Sequence, residues 1–277
     1  MLKKLVIAGL CALSAAAIIT GCGSNAKPAS SAAASVQEKK EITVGATAGP
    51  HAEVVEAAAK EAESNGLKVN VKEFSDYVTP DQALADGDLD LVVYQHEPFL
   101  KNFNKQHNTN LVSIGKAILM RMGVYSNKYK DIKDLPDGAT VSIPNDPSNG
   151  GRALLLLDKQ GLLKLKEGTD PTKAVVGDIA ENPKHLEILE LEAPQLPRSL
   201  DDVAISVINA GYAKAANLDS KTALATEDNT SPYVNIIAAR EQDKENPTYQ
   251  KFVKIFQSEN VKKYINDNFS DGLVPAF

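Results

Sequence analysis

Few residues in this chain have the chemistry to make or break bonds, and their spacing argues against most familiar ways of doing so. The four histidines are His51, His96, His107 and His185, and no two stand at the i, i+4 separation that puts metal ligands on one helical face. His96-Glu97 could open a His-Glu-x-x-His zinc-protease pattern, but the position that needs the second histidine is Leu100. There is no G-x-x-x-x-G-K-[ST] phosphate loop and no G-x-S-x-G nucleophile turn. The formal net charge of −6, from 30 Lys and Arg against 36 Asp and Glu, argues against a nucleic-acid partner, whose binding depends on neutralising phosphates. The sequence therefore nominates no catalytic residue, no metal ligand and no cofactor. What is left is recognition.

Two stretches have the makings of a binding site. Pro144-Asn145-Asp146-Pro147-Ser148-Asn149-Gly150-Gly151-Arg152 reads as a loop that opens a helix at Arg152. Free N–H groups at a helix start favour an anion, paired glycines let a ligand approach the backbone, and an arginine can grip a carboxylate with two parallel hydrogen bonds. A capped turn with a surface arginine would look the same. Tyr94-Gln95-His96-Glu97-Pro98 follows an apolar run and ends it with polar groups, at the place where ligands gather in parallel sheets. An ordinary strand-end cluster is the alternative.

The two cysteines, Cys11 and Cys22, belong to an address. Lys3 and Lys4 lead into an apolar run from Leu5 to Ile19, shorter than the ~20 residues of a membrane-spanning helix. The run ends Ile19-Thr20-Gly21-Cys22, which resembles a bacterial lipobox. That resemblance implies a signal peptide over residues 1–21, cleavage before Cys22, and diacylglycerol and acyl (palmitate-type) modification of that cysteine. Removing 21 of 277 residues leaves 256, and the loss of Lys3 and Lys4 takes the charge to −8, 28 cations against 36 anions. Two acyl chains suffice for stable anchoring, so the chain is expected at the cell membrane, facing away from the cytoplasm. Residues 22–41, rich in Ser, Ala and Lys, read as a flexible tether.

The elements that must position the binding stretches follow from periodicity. Ile42 to Ala46 reads as a strand, Val55, Ala58, Ala59 and Ala62 as one face of a helix that Gly66 stops, and Leu67 to Phe74 as a second strand. Thr79-Pro80-Asp81-Gln82 looks like a capping-box helix start, and Leu89 to Val93 like a strand buried on both faces. Further strands are predicted at Thr140–Ile143, Ile188–Leu191, Ala204–Ile208 and Val234–Ala239. Tyr249, Phe252, Val253 and Phe256 mark an amphipathic helix. The fold class is α/β, and the length suits two lobes or one large domain.

Several of these stretches together resemble the methionine-binding lipoproteins of ABC importers, the NlpA/MetQ type. Those that carry the resemblance include Phe74-Ser75-Asp76-Tyr77-Val78, Gln95-His96, Ile143 to Asn149 followed by Gly151-Arg152, Gln195 to Asp202, Val207-Ile208-Asn209 and Ser231 to Ile237. The resemblance implies a type II periplasmic-binding-protein fold, with two lobes, a ligand cleft and two crossovers. It assigns residues 42–123 with 233–277 to lobe 1 and residues 124–232 to lobe 2. It also implies that Arg152 binds a ligand carboxylate, that Asn209 and Asn235 hold the amino-acid head, and that Tyr77, Tyr94 and His96 line the side-chain pocket. Each of the six has a structural alternative as a loop anchor, core residue, strand end or ion pair. The implied partners are methionine or a relative (D-methionine, the sulfoxide, a methionine dipeptide) and a permease with its ATPase, for a protein that works as a monomer. A surface lipoprotein for attachment or signalling, with a degenerate cleft, is the alternative. The chain departs from the family at Met120-Arg121, where Glu-Pro is common, and at Tyr94, where Phe is common.

Overall fold

The computed structural model of the protein describes residues 38–277 except 171, 229, 270 and 271. The expected signal peptide, Cys22 with its expected lipid and most of the expected tether lie outside the described residues. The last tether residues do not hang free: Lys39 donates its backbone N–H to Thr248 Oγ1 (2.8 Å) and its Nζ to Asp90 and Tyr249. Among the described residues no helix is long and apolar enough to cross a membrane.

The chain first builds β1 (Glu41–Thr47), α1 (Pro50–Ser64), β2 (Lys68–Phe74), α2 (Thr79–Asp86), β3 (Leu91–His96), α3 (Glu97–His107) and β4 (Leu111–Lys116). After β5 (Ile118–Met120) it enters a second sheet through β6 (Gly123–Tyr125), β7 (Thr140–Pro144) and, past α4 (Pro147–Lys159) and the separate two-stranded pair β8 (Lys164–Leu165) and β9 (Ile179–Glu181), β10 (Glu187–Leu191). It continues there through α5 (Leu196–Ser199), β11 (Ile205–Ile208), α6 (Ala210–Ala215) and β12 (Ala225–Thr226). It then returns through β13 (Asn235–Arg240), α7 (Pro247–Phe256), α8 (Glu259–Asn268) and β14 (Leu273–Pro275).

The first sheet runs β2-β1-β3-β13-β4 and the second β10-β7-β11-β6-β12. β1, β2 and β3 are parallel, while β13 runs antiparallel between β3 and β4. The apolar run in β3 has a simple cause. Leu91 and Val93 enter the core under α1, α7 and α8, while Val92 and Tyr94 enter the opposite core under α2 and α3. A strand covered on both faces has no polar side to offer. α7 buries Tyr249, Phe252, Val253 and Phe256, the stripe read from the sequence.

Three local expectations are corrected. Thr79 is the first helical residue of α2 rather than its cap; Asp76 does the capping, accepting from the N–H groups of Val78 (2.8 Å) and Thr79 (2.7 Å). α4 begins at Pro147, so Arg152 stands in its second turn and not at its start. The free N–H groups expected there are partly taken, since Asp146 caps the helix through Asn149 N (2.9 Å). Gly150 serves packing instead of ligand approach, because a Cβ there would stand 2.9 Å from the Pro144 carbonyl oxygen. Gly66 does what its sequence position asks, with a left-handed φ of 73° just past α1.

Candidate functional site

The C-terminal ends of the parallel strands deliver polar residues to one place. β1 ends into Thr47 and then His51, β3 ends in Gln95 and His96, β7 is followed by Asn149 and Arg152 on α4, and β11 by Asn209. β13 is antiparallel, so its first residue, Asn235, lands opposite His96. Thr47 apart, these residues line one cavity. Its walls hold all six residues singled out from the sequence, Tyr77, Tyr94, His96, Arg152, Asn209 and Asn235. They also hold His51, to which the sequence reading gave no part, and Asn149, which lay in a quoted stretch without a role of its own.

At the polar end, Arg152 is fixed from three directions. Its Nε donates to Glu227 Oε1 (2.7 Å), its Nη2 to Glu227 Oε2 and to the Met120 carbonyl (2.9 Å). The Tyr233 ring lies 4.6 Å from the guanidinium carbon. Glu227 also accepts from Met122 N (2.9 Å). The side chains of Arg152 and Glu227 are only 3% and 11% exposed, so this is a buried ion pair with its hydrogen bonds made. The two-pronged edge of the guanidinium is therefore already occupied by a protein carboxylate; Nη1 takes no part in these bonds. Nothing in the sequence pointed to Glu227, which lies 75 residues from its partner.

Beside it runs a chain of amides. His96 Nδ1 accepts from Phe99 N (3.2 Å), which puts the ring proton on Nε2 and lets it donate to Asn149 Oδ1 (3.1 Å). Asn209 Nδ2 donates to the same oxygen (2.8 Å), and Asn149 Nδ2 donates to Asp146 Oδ2 (2.9 Å). Every amide is thereby oriented, and Asn209 Oδ1 is left buried with no donor. Opposite, His51 accepts from Thr47 Oγ1 at Nδ1 (2.7 Å) and donates from Nε2 to Asn235 Oδ1 (3.2 Å), which fixes that amide too. Burial pulls the His96 imidazole down to about 3, helped by Arg152, and the His51 imidazole down to about 4. Both rings are neutral near pH 7.

The other end is aromatic. Tyr77 stacks on Tyr94 (centroids 5.8 Å apart), meets Phe99 edge-on (5.8 Å), and leans on Tyr212 (4.9 Å) from the second sheet's α6. The buried Tyr94 hydroxyl donates to the Tyr77 carbonyl (2.6 Å). The cavity thus offers a cation and an unmet acceptor at one end and ring faces at the other. Among the described residues, no His, Cys, Asp and Glu cluster in a way that could hold a metal ion.

Known proteins bear the same stamp. The family model for the NlpA lipoprotein matches residues 42–277. The D-methionine-binding lipoprotein MetQ of Escherichia coli (strain K12) is 42% identical, over 99% of each chain. The probable D-methionine-binding lipoprotein MetQ of Pasteurella multocida (strain Pm70) is 41% identical over the whole of both. The solved structure of a nutrient-binding protein from Burkholderia cenocepacia bound to methionine is 51% identical, covers 85% of this chain and 100% of its own, and superposes with a TM-score of 0.83. The fold is accordingly that of the type II periplasmic binding proteins, two lobes around a cleft.

Proposed function

The chain belongs to the NlpA lipoprotein family, and from that premise we propose that its cleft captures methionine or a close relative and delivers it to the permease and ATPase of an ABC importer. The observation that carries this reading is the pairing, in one cavity, of a buried guanidinium with a buried amide oxygen that lacks a donor. An amino-acid zwitterion answers both. Its carboxylate meets Arg152 at the Nη1 end, with the Asn235 amide beside it, and its ammonium donates to Asn209 Oδ1. A dipeptide would have to separate those charges further. The names of the relatives supply the ligand class.

The aromatic end suits a thioether, since sulfur gains ~0.3–1.5 kcal/mol at each well-placed ring edge. Because the Tyr94 proton is committed to the Tyr77 carbonyl, the hydroxyl has none to give a sulfoxide. This favours methionine over its oxidised form. No covalent step is involved: residues 42–123 with 233–277 and residues 124–232 act as two lobes that close on the ligand and open to release it. We read the protein as a monomer held to the membrane by lipid on Cys22, outside the cytoplasm. Native mass spectrometry of protein purified from cells is the test. Retention of one methionine per chain is expected, and a different bound metabolite would overturn the ligand.

A further inference from the structure

Behind the aromatic wall lies a carboxyl group that the ligand reading leaves unused. Asp81, in the first turn of α2, is completely buried. Gln95, on the cavity wall, donates its Nε2 to Asp81 Oδ1 (2.6 Å). The other oxygen of each partner, Asp81 Oδ2 and Gln95 Oε1, is buried with no hydrogen bond. Two orphaned acceptors in one hydrogen-bonded pair are one proton short. A proton on Asp81 Oδ2 would turn it into a donor and give the pair the one hydrogen it lacks, as when a carboxylic acid and an amide pair side by side.

We propose that Asp81 is a positioning residue of the cleft, which as a neutral carboxylic acid clamps the Gln95 amide and so fixes the wall on which Tyr94 and Gln95 meet the ligand. The surroundings agree. The Tyr94 hydroxyl directs its proton at the Tyr77 carbonyl (2.6 Å), and its remaining pull on the Asp81 carboxyl is downward but smaller than the effect of burial. His96, further along β3, is neutral. Arg240, at the end of β13, is spent on Asp243 and on the carbonyls of Leu84 and Leu89. Glu41 on β1 is held by Lys68 and Asn70 at the surface, and Glu97 and Lys101 on α3 pair with each other. Asp76 caps α2, and Asp86 at its far end accepts from Gln82, so both add only negative charge. The start of α2 favours an anion slightly; burial without a cation opposes it far more strongly. Burial accordingly pushes the carboxyl up to about 7, against the smaller downward pull of Tyr94 and Gln95.

The effect on binding rests on the methionine reading, so the test separates the two. Apo melting temperature and methionine affinity are measured together, from pH 4 to 9, for the wild type and Asp81→Asn. The amide supplies the missing donor at every pH. The raised carboxyl contributes stability that is full below its unfolded value near 4 and is lost as pH rises through about 7. The wild type should therefore lose melting temperature relative to Asp81→Asn across that window. Its methionine affinity should fall at least about threefold between pH 6 and 9, while that of Asp81→Asn stays level and matches the wild type at pH 6. Parallel profiles for both proteins, in melting and in affinity, would overturn the proposal, as would a loss of affinity in Asp81→Asn at every pH. Diverging melting profiles in a protein that never binds methionine would keep the acid–amide pair and overturn the ligand.

Discussion

The two ends of the cavity are built in different ways. The polar end is assembled from both sheets: Arg152, Asn149 and Asn209 come from the second, His51, His96 and Asn235 from the first, and Glu227 from the return between them. Each of its side chains is oriented by a hydrogen bond to another protein group. The aromatic end comes mainly from the first sheet and its helices, with only Tyr212 leaning in from the second. It is held chiefly by packing. The difference implies strict demands on the amino-acid head, which both lobes must meet to close, and looser demands on the side chain, which one lobe has largely shaped beforehand.

The largest expected effect comes from cutting the polar end at its charge. Glu227→Ala leaves Arg152 buried without a counter-ion and should cost about 3–5 kcal/mol by chemical denaturation. Arg152→Ala should fall in the same range while also removing methionine binding, so a fold left fully stable would show that the pair is not the brace described here. Asn209→Ala is milder in one respect. Removing its unpartnered oxygen offsets the loss of the Nδ2 bond to Asn149, so the apo melting temperature should change little, while calorimetric affinity drops by about 1.5–3 kcal/mol. If the apo form melts early instead, Asn209 is holding the lobe and not the ligand.

At the aromatic end the effects should be smaller. Tyr94→Phe strips one hydrogen bond from the Tyr77 carbonyl, an expected cost of about 1 kcal/mol in stability, with methionine affinity within a few-fold. A large gain in sulfoxide binding in that variant would contradict the account of side-chain preference. The neutral histidines make no difference near pH 7 and act only in acid. Their depressed values mean stability that is present above the unfolded value near 6.5 and is lost as pH falls toward 4, opposite in sign to the Asp81 effect. Replacing His51 by Gln should flatten part of that acid limb in a melting series from pH 4 to 7.

The same contrast governs what could be read without a structure. β3, the α7 stripe and the stop at Gly66 were legible because each is a local consequence of burial or backbone geometry. The start of α4 was misread although Asp146-Pro147 is a regular cap and first-turn pair, because Gly150-Gly151 looked like loop. Glu227, His51 and the Asp81–Gln95 pair were illegible for another reason. Their partners lie 75, 184 and 14 residues away, and nothing local in the sequence brings them together. Asn149 was visible inside a quoted motif, but its work as the joint between His96 and Asn209 appears only when both lobes are in place.

The central claim is that the cleft grips both charges of an amino-acid head while tolerating variation beyond it. Calorimetric titration of the protein with L-methionine, N-acetyl-methionine and methionine methyl ester tests this directly, because the two derivatives each blank one charge and keep the thioether. Tight binding of methionine and a loss of at least about a hundredfold for both derivatives is the result expected from two charge-assisted contacts. Comparable affinity for all three, or for either derivative, would contradict it.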